Sequence, residues 1–148
     1  MTSGTADFQA AGHVRRLTEL TETLTRRLET ETRAFAARRP QDIVEGLAQT
    51  QDLANQYRRE SALLKAQPAL ASNASASDRM GLIKATQRFE AVLALHAAAV
   101  TAARTISEGI VQAIAGEVAA SRATGAGYGA AGYAATADGT AITLNRSA

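Results

Sequence analysis

The stretch from Ser77 to Ser121 constrains the fold more than any other part of the chain. It is rich in alanine, contains no proline, and repeats its large apolar residues at heptad distances. Positions seven apart lie nearly on one line of an α-helix, so neighbouring rows form a broad apolar band. Three such rows are present: Phe89, His96, Ala103 and Ile110; Leu93, Val100, Ser107 and Ile114; and Val92, Ala99, Ile106 and Ala113. A helix of this length, roughly 65 Å at ~1.5 Å per residue, must be covered by the rest of the chain or by a partner.

Two amphipathic helices are predicted before this stretch. The first covers about residues 7–38, and its apolar positions recur at helical spacing: Val14, Leu17, Leu20, Leu24, Leu28 and Phe35. Pro40 ends it, because the residue before a proline avoids the helical region. Pro40 or Asp42 then opens a second helix over about residues 41–66, and Pro68 closes it. The short connection favours an antiparallel hairpin.

The predicted architecture is an all-α, elongated antiparallel three-helix bundle or coiled coil. A chain of 148 residues suggests one domain. We expect a flexible leader over residues 1–6 and a helical domain over residues 7–121, whose third helix spans about 78–121 and is capped by Ser77 or Asp78. Residues 122–148 form a glycine- and alanine-rich tail with too little apolar bulk to offset backbone ordering, so we predict that the tail is flexible.

Composition and charge exclude several classes of function. The chain has no cysteine, which excludes disulfides and thiolate metal sites and fits a reducing compartment. The net charge is only +2 and the charges are interleaved, whereas a phosphate-binding face needs unneutralised bases. No signal peptide is recognisable, and the most apolar window, Ala91–Ala103, is shorter than the ~20 residues that cross a bilayer. These features predict a cytoplasmic protein with no membrane insertion and no nucleic-acid partner.

Catalytic and cofactor sites are not indicated. His96 falls within the apolar band, where a core histidine is the simpler interpretation, and His13 has no carboxylate at ligand spacing. Glu29 and Glu31 lie close together on what we predict to be a solvated helix face, where carboxylates stay ionised. The sequence Gly127–Gly132 matches a dinucleotide fingerprint, but a helix rather than a strand precedes it. We therefore expect neither enzyme activity nor a metal or cofactor.

Two features point to a protein partner. The band of the third helix is wider than two neighbours can cover towards its C-terminal half, which predicts a groove for a partner's amphipathic helix. The rows that leave this apolar surface run through Val92, Ile106, Ile110, Val111, Ile114 and Val118. Self-association or ordinary bundle packing is the alternative. Tyr128 and Tyr133 stand in the small-residue tail, where a tyrosine can anchor a contact through its large surface and single hydroxyl.

The first two helices resemble the FlgN-type flagellar export chaperones, which serve the hook-associated proteins. The resemblance lies in the Leu/Thr/Glu pattern of residues 17–35, a turn containing Asp42, and the leucines from Leu47 to Leu64. It implies a small cytoplasmic helical protein without enzymatic activity. Such a protein binds the amphipathic C-terminal helix of its client, prevents premature assembly and delivers the client to the export gate.

By position, this resemblance makes Ile106, Ile110, Ile114 and Val118 the client-binding residues, and Tyr128 or Tyr133 the export-gate docking residue. A structural or adaptor coiled coil that homodimerises through the third helix is the competing interpretation. The client and the oligomeric state stay open at this point.

Overall fold

The computed structural model describes the backbone of residues 3–146 and the side chains of residues 3–126. Four α-helices follow one another: α1 (Ser3–Ala36), α2 (Leu47–Ala66), the single turn α3 (Ala69–Ser72) and α4 (Ala76–Arg146). A 3-10 segment, Pro40–Gly46, precedes α2. All regular elements within residues 3–146 are helical, which confirms the all-α class. The chain divides into two compact units, Met1–Ala103 and Arg104–Ala148.

Helix α1 is the centre of the first unit. Leu24 and Leu28 of α1 form a buried cluster with Phe89 and Val92 of α4. Residues Leu53, Ala54 and Tyr57 of α2 pack against this cluster. The rings of Tyr57 and Phe89 have their centroids 4.9 Å apart. The core is small, since the other buried apolar residues among those described are Ala10, Val14, Leu17, Ile43, Ala74 and Ala85.

The directions of the helices follow from the pairs that join them. His13 contacts Glu60, whereas Arg27 further along α1 contacts Gly46, so α1 and α2 are antiparallel. Arg15 contacts Asp78 and Glu31 contacts His96, so α1 and α4 are parallel. The first unit is therefore an up-down-up bundle, as the predicted hairpin requires.

Threonines fill part of the core of the first unit. Thr21 and Thr25 are fully buried, and each hydroxyl donates to the carbonyl four residues earlier, at 2.6 and 2.7 Å. A hydroxyl satisfied by its own helix can be buried without a partner on another element. This explains how a row of small polar residues lies inside the bundle.

The first helix begins and ends differently from the prediction. It starts at Ser3, within the predicted leader, and stops at Ala36 rather than residue 38. Arg38 has a φ of 57°, and the amides of Arg38 and Arg39 donate to the carbonyls of Phe35 and Ala34 at 3.0 and 2.8 Å. This bonding pattern is a Schellman motif, in which glycine is the usual left-handed residue. The left-handed residue, and not Pro40 alone, ends the helix.

The second helix does not open at Pro40 or Asp42 as predicted. Residues Pro40–Gly46 form a 3-10 segment, and α2 begins at Leu47. Arg27 donates to the carbonyl of Gly46 at 2.7 Å, and a Cβ on Gly46 would lie 3.0 Å from that guanidinium. A glycine allows this close approach, and its low helix propensity separates the two helical segments.

The cap of α4 is Ser75 rather than Ser77 or Asp78. The Ser75 hydroxyl accepts from the amide of Asp78 at 3.0 Å and donates to the Asp78 carboxylate at 2.8 Å. Helix α4 then runs past Ser121 to Arg146, so no helix end marks the predicted start of the tail. Alanine, the strongest helix former, is frequent on both sides of that position. The flexibility of residues 122–148 stays a prediction.

Candidate functional site

The part of α4 that belongs to the second unit carries an exposed apolar surface. Every residue from 104 to 126 is exposed. Four large side chains occur at intervals of four residues, and we call them the α4 face: Ile106, Ile110, Ile114 and Val118, with exposed fractions of 44%, 55%, 56% and 43%. Val111, 65% exposed, lies beside them. The helix thus gathers the four residues that the sequence predicted as client-binding into one row.

The exposure of the α4 face has an energetic consequence. Side chains four residues apart are neighbours along one side of a helix, so the face is continuous. Fully burying an isoleucine or valine contributes about 1.5–3 kcal/mol, so covering the exposed half of each would add roughly 1 kcal/mol. A second amphipathic helix is the surface that matches a row of this shape.

The charges around the α4 face balance. Residues 104–126 contain two arginines, Arg104 and Arg122, and two glutamates, Glu108 and Glu117, so their sum is zero. Arg104 and Glu108 pair with each other at 2.8 Å. A surface without net charge offers little to phosphates, so it favours a partner recognised by apolar contacts.

A shallow groove lies between α1 and α4 in the first unit. It measures about 420 Å³ and is lined by Glu29, Thr32, Arg33, Val92 and Leu95. Leu95 is 64% exposed, and Arg88 pairs with Glu29 at 2.8 Å. The lining thus combines the apolar side chains of Val92 and Leu95 with the charged side chains of Glu29 and Arg33.

Glu31 is buried, contrary to its predicted place on a solvated face. It is 7% exposed and accepts a hydrogen bond from Thr50 at 2.6 Å. Its second oxygen lies 3.7 Å from Nε2 of His96. Glu31 follows Leu24 by seven residues and Leu28 by three, and this spacing was the available signal that it lies on the buried side.

His96 packs as part of the first unit. Its Nδ1 lies 3.2 Å from the Thr32 hydroxyl, and its ring meets Phe35 edge-on at 6.1 Å between centroids. Contacts to three neighbouring α1 residues account for this histidine structurally, in line with the core interpretation.

His13 is also buried, with 3% of its surface exposed. Its Nδ1 lies 3.2 Å from the Glu60 carboxylate, whereas its Nε2 has no hydrogen-bond partner. Sequence spacing did not indicate this pair, because Glu60 comes from another helix.

Within the described residues, no group of three or more histidine, aspartate or glutamate side chains could hold a metal ion. Tyr128, Tyr133 and the glycines of Gly127–Gly132 lie outside the described side chains, so their predicted roles are not placed by the structure.

Length and composition bear on the membrane prediction. The segment Ala76–Ala126 contains an 18-residue window that is apolar enough to cross a bilayer, and 6% of that window is buried. The core helix of a soluble protein, which is mostly buried, can be equally long and apolar. This window of 18 residues is longer than the predicted apolar window, Ala91–Ala103. The absence of membrane insertion stays a prediction.

Comparisons with known proteins identify a relative along nearly the whole chain. No protein-family model matches the chain, and no solved structure matches it. The chain is 42% identical over 146 residues to the flagellar basal-body protein FlbY of Caulobacter vibrioides, an alignment that covers 97% of this chain and 98% of that protein. The relative is flagellar, as the resemblance implied, whereas a FlgN-type assignment stays a prediction. Identity at this level over this length shows that the chain belongs to the family of the flagellar basal-body protein FlbY.

Proposed function

We propose that this flagellar protein is a cytoplasmic type III secretion chaperone, which binds the amphipathic C-terminal helix of a hook-associated protein. The observation that carries the proposal is the exposed α4 face within residues 104–126, a segment whose charges sum to zero. A client helix would add apolar contacts along that row and shield its own apolar side from premature assembly. The chaperone then releases the client at the export gate.

The role of the first unit in this proposal is to hold α4. The buried cluster anchors the N-terminal part of α4 to α1 through Leu24, Leu28, Phe89 and Val92. The client is bound by residues that this cluster does not use. Substitutions on the α4 face are therefore expected to change binding without unfolding the bundle.

Co-purification with a full-length hook-associated protein tests the proposal. The variant carrying Ile110→Asp and Ile114→Asp should lose the client, because two carboxylates would be buried in the interface. Ile83→Asp is the matched control, since Ile83 is 50% exposed on the same helix but outside the α4 face. Retention of the client by the double variant would contradict the proposal.

The proposed docking role of the two tail tyrosines is tested separately from client binding. If Tyr128 or Tyr133 docks at the export gate, Tyr→Ala at that position should reduce secretion of the client while the purified complex stays intact. Secretion unchanged by both substitutions, singly and together, would remove the docking role.

A second candidate is a structural or adaptor coiled coil that homodimerises through α4. The relative's description as a basal-body protein favours this candidate. Purified basal bodies distinguish the two: an adaptor remains in them at a fixed ratio to their other components, whereas a chaperone stays with its client in the soluble fraction.

A further inference from the structure

We propose that α4 pairs antiparallel with α4 of a second copy of this chain, with the two-fold axis near Gly116. This inference deepens the second candidate above by giving the direction and alignment of the α4 pair, and it does not rest on client binding. The paired surface lies within the exposed residues 104–126. When one of the two helices runs in the opposite direction, apolar residues of one copy lie beside apolar residues of the other, and acidic residues beside basic ones.

Two adjacent heptad rows, which carry Val111, Val118 and Ile114, support this pairing. Val111 and Val118 are seven residues apart, as are Ser107, Ile114 and Ser121, and the two rows are adjacent on the helix. In an antiparallel pair each residue of one row lies beside a residue of the other row. Ile114 then lies beside Val118 of the second copy, twice by symmetry, and Val111 lies beside Ser121 of the second copy.

The charges provide the second argument. Glu108 and Arg122 are two heptads apart, so they flank the apolar rows on the same side. The same antiparallel alignment brings Glu108 close to Arg122 of the second copy, again twice. Glu108 is exposed, and its pair with Arg104 at 2.8 Å is exposed as well, so exchanging it for a pair across the interface costs little.

One charge opposes the pairing. Glu117 lies on the other flank, one residue from the axis, and meets Glu117 of the second copy. With two attractive contacts, one repulsive contact and few large apolar side chains, the pairing is weak and reversible. Because Ile114 and Val118 also belong to the α4 face, the second copy covers part of the surface assigned to the client.

Charge reversal in the full chain tests the alignment. Glu108→Arg and Arg122→Glu should each weaken dimerisation at least about tenfold in analytical ultracentrifugation, because each places like charges together twice. An equal mixture of the two variants should dimerise again, since both contacts then join opposite charges. Lys84→Gln is the control, since Lys84 is exposed on the same helix but outside residues 104–126, and it should leave the dimer intact. A wild-type chain that stays monomeric at every accessible concentration would overturn the proposal.

Glu117→Gln distinguishes the two directions of pairing. It should strengthen an antiparallel dimer by removing the repulsion. In a parallel dimer it should weaken association, because Glu117 would then face Arg122 five residues on. Weakened association would overturn the antiparallel alignment.

Engineered cysteines give an independent readout, because the natural chain has no cysteine. Ser107 and Gly125 are expected to lie side by side across the antiparallel pair, and a Cβ added at Gly125 meets nothing within 4 Å. A mixture of the Ser107→Cys and Gly125→Cys chains should form a mixed disulfide under mild oxidation. Ser107→Cys alone should not crosslink, because its two copies would be ~27 Å apart along the helices. Efficient crosslinking of Ser107→Cys to itself would contradict the alignment.

Discussion

Glu31 of α1 and His96 of α4 lie 3.7 Å apart, measured from Oε2 to Nε2. The same carboxylate accepts a hydrogen bond from Thr50 of α2 at 2.6 Å. One buried side chain therefore connects three helices. A buried carboxylate is tolerated only when it has polar partners, so this junction ties the alignment of α1, α2 and α4 to a single residue.

Removing the carboxylate at this junction should destabilise the protein. We expect Glu31→Ala to lower the free energy of unfolding by about 2 kcal/mol, because it removes the buried 2.6 Å hydrogen bond from Thr50 and leaves that hydroxyl only the longer bond to the Gly46 carbonyl at 3.2 Å. Urea denaturation measures the change. Glu29→Ala is the control: its partner Arg88 is 62% exposed, and such pairs contribute less than about 1 kcal/mol. Equal losses in the two variants would show that the junction has no special role.

Two buried threonines should respond differently to valine. Thr21 donates only to its own helix, so Thr21→Val should change stability by less than about 1 kcal/mol. Thr50→Val removes the hydrogen bond to buried Glu31 and should cost about 1–3 kcal/mol. Thermal unfolding of both variants tests this order, and a greater loss in Thr21→Val would reverse it.

The end of α1 offers a stabilising substitution. Arg38 has a φ of 57°, a conformation that glycine adopts without steric cost. We expect Arg38→Gly to raise the free energy of unfolding by about 0.5–1 kcal/mol. Arg39 has a φ of −122°, so Arg39→Gly should lower stability by a similar amount through the entropy of the unfolded chain. A destabilised Arg38→Gly protein, measured by urea denaturation, would contradict this interpretation of the turn.

The start of α4 should make stability depend on pH. Hydrogen bonds from Arg15 and then Ser75 hold the pKa of Asp78 below its ordinary value. Because the folded pKa is lower than the unfolded one, the stabilisation is complete above the unfolded pKa and is lost as the pH falls through the folded pKa. The stability difference between wild type and Asp78→Asn should therefore be full at neutral pH and shrink below about pH 4. A difference that stays constant down to the acid transition would refute the role of the ionised carboxylate.

Periodicity predicted the parts of the structure that depend on local spacing. The heptad rows placed Phe89 and Val92 on the side of α4 that packs against Leu24 and Leu28. The same rows continue to Ile110 and Ile106, which are exposed. Spacing identifies which residues share a side of a helix, and so it located the row that became the candidate site.

Contacts between residues far apart in the sequence cannot be predicted from spacing along one helix. The spacing of Glu31 from Leu24 and Leu28 indicates its buried side, whereas its partners, Thr50 and His96, come from two other helices and leave no signal in the sequence. The 3-10 segment was missed for the same reason, since its last residue is held by Arg27 of α1. Several serines near the start of α4 could serve as its cap. Backbone geometry, which the sequence does not show, decides that Ser75 does.

The measurement that tests the account most directly is the affinity of the full chain for the C-terminal helical peptide of a hook-associated protein, determined by calorimetric titration. Wild type and Ile83→Asp are expected to bind the peptide equally well. The chain carrying Ile110→Asp and Ile114→Asp is expected to bind at least about a hundredfold more weakly while remaining folded. Equal affinity of all three proteins, or no binding by wild type, would contradict the assignment of the α4 face as the client site.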